Sequence, residues 1–119
     1  MDWRKLHARY MRDEWPVRLG NLASTLGRVT QRLSHPDALT SVPSSLREAM
    51  WFIEWSVRGT PPEVLLELAP MQAELGLWRR SWDTVAQSFT LRMLLSRRAR
   101  QMSDRVLELS GLLESSQRE

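Results

Sequence analysis

The chain has 119 residues with a net charge of +3, 42% of them hydrophobic and 26% charged, a balance that fits one soluble globular domain with a single core. It has no cysteine, which excludes a disulfide framework, thiolate catalysis and a cysteine-based zinc site. The opening segment carries Asp2, Arg4 and Lys5 in place of an apolar core of about 7 to 15 residues, and no charge-free apolar run of about 18 residues occurs. The expectation is a cytoplasmic chain with no secretory signal and no transmembrane segment.

No stretch alternates apolar and polar residues over strand length, whereas helical spacing recurs throughout. A first helix starts at Asp2 as N-cap, with Trp3, Leu6 and Tyr10 on one face, and breaks near Asp13-Glu14-Trp15-Pro16, because proline is tolerated in a first turn but not inside a helix. A second helix over 15–34 repeats Trp15, Leu19, Leu22, Leu26, Val29 and Leu33 as a bundle seam. Gly20, Ala23 and Gly27 fall together on another of its faces. Glycine is costly inside a helix, so this pattern points to close approach of a neighbouring backbone.

Residues 34–44 are rich in Ser and Pro and read as the main loop. Ser45 with Glu48 then forms a capping box for a third helix ending at Gly59, with Leu46, Ala49, Met50, Ile53 and Val57 as its seam. Trp51 and Trp55 stand about 130 to 170° from that seam, so this helix is apolar nearly all round.

Thr60 caps a fourth helix with proline in its first turn. Val64, Leu68, Met71, Leu75, Trp78, Trp82 and Val85 follow in one phase despite Pro70, which predicts a kinked helix or two collinear ones. A turn is expected between 84 and 90, since the last seam, Leu91, Leu95, Ala99, Met102, Val106, Leu109 and Leu113, lies on the opposite side of a continued helix. The expected domain is 1–114, with 115–119 as a frayed tail.

Two tryptophan pairs at i,i+4 spacing stand out. Trp78 and Trp82 lie on their seam and read as core, while Trp51 and Trp55 read as a slab buried between layers, as the anchor of a protein partner, or as a stacking surface for a flat ligand such as a pigment, haem or base. With Glu54 and Arg58 as flanking charges, the expected site is a partner-binding helix face.

Charge alternates along the chain. The balances over 1–35, 36–75, 76–105 and 106–119 are +4, −4, +5 and −2, and they add to the net +3. Glu63, Glu67 and Glu74 form a stripe beside the fourth seam, and Arg98 and Arg105 a heptad-spaced pair beside the last, so antiparallel packing would bring opposite signs together. The alternative use is nucleic-acid binding through 92–105, where Arg92, Arg97, Arg98, Arg100 and Arg105 cluster without forming a single stripe. Arg100 could instead pair with Asp104.

No Gly-rich phosphate loop, nucleophile elbow or His-Glu-x-x-His motif occurs, so no enzyme activity and no cofactor are expected. Neither His7 nor His35 has the glutamate spacing of a bundle carboxylate site, so no metal is expected either.

The runs Trp15 to Ser24, Phe52 to Trp55 and Arg105 to Leu113 resemble small uncharacterised helical proteins of cyanobacteria. That resemblance covers about a third of the chain and implies a cytosolic or thylakoid-surface accessory role. The expected architecture is an all-α bundle of four or five helices. The expected function is a non-catalytic interaction or assembly module that binds a protein partner or a second copy of itself.

Overall fold

In a computed structural model, which describes residues 2–113, every element is a helix. Helix α1, Trp3–Arg12, is capped by the Asp2 carboxylate, which accepts the Arg4 N–H at 3.0 Å. Asp13 and Glu14 are extended, and Pro16 sits in the first turn of α2, Trp15–Leu33, so the break falls where proline demands it. A short 3-10 helix, Pro36–Ser41, leads into α3, Val42–Trp55. After a turn come α4, Pro62–Arg80, then α5, Trp82–Ala86, and α6, Phe89–Ser110. Ser88 caps α6 by accepting the Leu91 N–H, and Gly111 ends it in the left-handed region at φ 73°. The proposed tail, 115–119, lies outside the described residues.

The third helix differs from expectation at both ends. It begins at Val42, and the capping box does not form: Ser45 lies one turn inside, donating its hydroxyl to the Ser41 carbonyl at 3.1 Å, while Glu48 turns to Arg28 and Thr25 of α2. The 3-10 helix makes a cap unnecessary by running directly into α3. The helix also ends at Trp55 instead of Gly59, so Val57 is 63% exposed in the turn and Phe52 takes its place in the core. Thr60 does not cap α4. It is buried, its hydroxyl has no hydrogen-bond partner among the described residues, and Pro61 stands at the N-cap. Pro70 does not divide α4, although it has no N–H for the Leu66 carbonyl; the helix stops at Ser81, and the phase change occurs at Gln87-Ser88.

α2, α3, α4 and α6 form an up-down-up-down bundle. Ion and hydrogen-bond partners run in opposite directions on each joined pair: Arg18, Arg28 and Arg32 of α2 meet Arg58, Glu48 and Ser45. Likewise Glu67 and Glu74 of α4 meet Arg105 and Arg98 of α6. The antiparallel charge pairing read from the sequence is therefore observed. Arg100 and Asp104, by contrast, form no ion pair among the described residues.

The ring closes through α6 on α2, which make the closest helix pair. Ser103 donates its hydroxyl to the Ala23 carbonyl at 2.7 Å and Ser96 to the Thr30 carbonyl at 2.8 Å. Gly20, Ala23 and Gly27 present little side chain beside the Ser103 contact, which eases the close approach of the two helices. A Cβ on Gly20 would meet Leu112 Cδ1 at 3.0 Å.

Inside, Leu19, Leu22, Leu26, Val29 and Leu33 of α2 meet Leu46, Ala49 and Ile53 of α3, Val64, Leu68, Met71, Leu75 and Trp78 of α4, and Ala99, Met102 and Val106 of α6. Each deeply buried leucine removes apolar surface from water worth about 1.5 to 3 kcal/mol. The ends of the expected last seam are exposed: Leu91 lies in the first turn of α6, and Leu113 lies past Gly111, where α6 has ended.

Candidate functional site

Because α3 ends at Trp55, the i,i+4 spacing places Trp51 and Trp55 on its last two turns, on the side away from Ala49 and Ile53. The indoles stack with centroids 5.7 Å apart and planes 16° from parallel. Arg47, one turn earlier, holds its guanidinium 5.3 Å from the Trp51 ring centre. His7 of α1 meets the far ring, Trp55, edge-on at 4.8 Å. The result is a four-member ladder, Arg47, Trp51, Trp55 and His7, along one side of the bundle.

The two tryptophans are not equivalent. Both are half-buried, but Trp55 packs against the core, with Tyr10 and Phe52 each 5.9 Å from its ring centre, whereas Trp51 touches the aromatic cluster through Trp55 alone. Of the flanking charges, Glu54 is exposed on α3. Arg58 is exposed in the turn beyond the helix, where its carbonyl accepts from Arg18 at 2.8 Å.

α1 reaches this face through Tyr10, the one residue it buries. The Tyr10 ring stacks on Phe52 at 4.3 Å, and its hydroxyl donates to the Phe52 carbonyl at 3.0 Å, with Ser56 Oγ 2.6 Å away. Burial pushes the phenol up to about 12, against the opposing pull of the Ser56 hydrogen bond and the Arg18 charge.

Sequence reasoning missed a cleft of about 340 Å³ between α1, α2 and α3, whose lining combines Tyr10 and Phe52 with the polar Arg9, Asp13, Asn21, Thr25, Arg28 and Glu48. No motif could have signalled it, because its lining comes from three helices. Arg28 donates to the buried Thr25 hydroxyl at 2.9 Å and to Glu48 at 3.2 Å, and Asn21 donates to Asp13 at 3.4 Å. Asp13, Asn21, Thr25, Arg28 and Glu48 are thus already engaged with one another.

The basic segment disperses. Arg98 and Arg105 form two-pronged hydrogen-bonded pairs with Glu74 and Glu67, which hold both carboxyls below their ordinary range and both guanidinium groups above theirs. Arg92 donates to the Ala86 carbonyl and covers Phe89. Of the five arginines, Arg97 and Arg100 are exposed and make no ion pair among the described residues. No group of three or more His, Cys, Asp or Glu suited to a metal occurs among the described residues, and no helix there is long and apolar enough to cross a membrane. No protein-family model, curated protein or solved structure matches the chain.

Proposed function

We propose that the protein is a non-catalytic cytoplasmic interaction module that binds a protein partner through the Trp51 and Trp55 face, with Glu54 and Arg58 orienting the partner. The observation that supports this most is the position of Trp51: a half-exposed indole held in one orientation between Arg47 and Trp55, so that little rotamer freedom is lost when a partner covers it. Charge pairing takes up Arg98 and Arg105, and Arg92 is turned to the Ala86 carbonyl and the Phe89 ring. That leaves Arg97 and Arg100 for the competing polyanion use, and two exposed arginines give a weak phosphate site.

Trp51→Ala is the clean test, since Trp55 also supports the core. The variant should retain its melting temperature and lose proteins that co-purify with the wild type, a hot-spot loss of about 2 kcal/mol or more. A Trp51→Ala chain that melts earlier and keeps every co-purifying protein would overturn the proposal. A nucleic-acid titration over a salt series separates the alternative, because phosphate contacts give affinity that falls steeply with salt.

A further inference from the structure

α4 is apolar on two opposite sides. Val64, Leu68, Met71, Leu75 and Trp78 face the core. On the reverse side Leu66, Ala69, Pro70, Ala73 and Leu77 are all exposed, Leu66 by 76% and Leu77 by 54%. At 100° per residue no charged or hydrogen-bonding side chain falls on this strip between Glu63 in the first turn and Arg80 in the last. Neither Glu63 nor Arg80 forms an ion pair among the described residues.

The strip reads alike in both directions. Glu63, Leu66, Pro70, Ala73, Leu77 and Arg80 are spaced 3, 4, 3, 4, 3, which is a coiled-coil seam that is symmetric about the point between Met71 and Gln72. We infer that this face is the two-fold contact of an antiparallel homodimer, the occupant being α4 of a second copy of this chain. In that register Leu66 lies in one layer with Leu77 of the second copy. Pro70 and Ala73 share the central layer, where their small bulk lets the helices approach. Glu63 meets Arg80 of the second copy at each end, so the charge match occurs twice, as an isologous contact requires. Parallel pairing would instead set Glu63 on Glu63 and Arg80 on Arg80. The charges therefore select both the occupant and its direction.

One strip about 25 Å long buries less than a permanent dimer does, so the association is reversible and depends on concentration. It lies on α4, apart from the tryptophan ladder of α3, and is independent of the partner proposed for that ladder.

Sedimentation equilibrium of the full chain over a concentration series should show a monomer–dimer equilibrium. Leu66→Glu, at an exposed position, should raise Kd at least tenfold without changing the melting temperature. Glu63→Arg should weaken the dimer, and adding Arg80→Glu in the same chain should restore it, which a merely hydrophobic contact would not do. Because the protein has no cysteine, register can be read by oxidation. Ala73→Cys, beside the two-fold, should cross-link, and so should the double variant Leu66→Cys with Leu77→Cys. Leu66→Cys alone should not, its two copies standing about 16 Å apart along the helices. A chain that stays monomeric at every concentration overturns the inference. So does a dimer that survives Leu66→Glu but is lost on Trp51→Ala, which would assign self-association to the tryptophan face. Cross-linking of Leu66→Cys as fast as Ala73→Cys overturns the register.

Discussion

Replacing Tyr10 by alanine should release α1 from the bundle. Tyr10 is the one buried residue of that helix, and its ring is held by Phe52 at 4.3 Å and its hydroxyl by the Phe52 carbonyl and Ser56. Truncating a buried aromatic side chain costs about 3 to 5 kcal/mol. Within that figure the hydrogen bond accounts for about 0.5 to 1.5 kcal/mol, and the stacked pair for about 0.5 to 1.5 kcal/mol beyond burial. The rest of α1 is at most partly buried, Leu6 and Met11 against the core and His7 against Trp55. The helix can therefore swing away instead of spanning a cavity, so its own docking free energy caps the loss and the four long helices still unfold together. Urea denaturation should show the loss as a lower midpoint. Trypsin should cut after Lys5, Arg9 and Arg12 well before the bundle unfolds. Tyr10→Phe keeps the ring and the Ser56 bond to the Phe52 carbonyl, so it should cost only about 1 kcal/mol. A loss below about 1 kcal/mol for Tyr10→Ala, with unchanged cleavage, would refute the reasoning.

The same residue governs the alkaline side. The chain has a single tyrosine, so tyrosinate absorbance reports Tyr10 alone and should rise around pH 12 in the folded protein, against an ordinary value of 10.0. The unfolded chain loses this proton first, so stability is full below pH 10 and falls as pH climbs toward 12. In acid the lowered carboxyls of Glu67 and Glu74 act the other way: their contribution is present above the ordinary carboxylate value and is lost as pH falls through their depressed values, a shift that Glu74→Gln should diminish in an acid melting series. Leu26→Ala, at a fully buried seam position, should cost about 2 to 5 kcal/mol in urea denaturation. Leu109→Ala, half-buried on the same reasoning, should cost clearly less, and equal losses would show that α6 ends deeper in the bundle than described.

The seams of α2 and of the central part of α6, the small-residue face at Gly20, Ala23 and Gly27, and the pairing of Glu67 and Glu74 with Arg105 and Arg98 could all be read from spacing. Each depends on helical periodicity, which repeats every few residues and needs no distant information. The antiparallel direction did not follow from those charges, because two glutamates and two arginines at equal heptad spacing match in either sense; the connections between successive helices set it. Two places exposed the limit of local reading. Ser45 and Glu48 have the form of a capping box, yet the 3-10 helix carries the chain directly into α3 and both side chains turn to α2 instead. Val57 has seam spacing, yet it lies past the end of its helix.

For the candidate site the division is sharper. Sequence alone placed Trp51 and Trp55 on one face of α3 and away from its seam, because residue type and i,i+4 spacing suffice for that. Only tertiary structure made the two unequal, by folding α1 back so that Tyr10 and His7 close over Trp55 and leave Trp51 at the outer end of the ladder. The cleft between α1, α2 and α3 was likewise beyond reach. Periodicity fixes which side of a helix is apolar, but which neighbour covers that side, and how completely, depends on where helices distant in sequence meet in space.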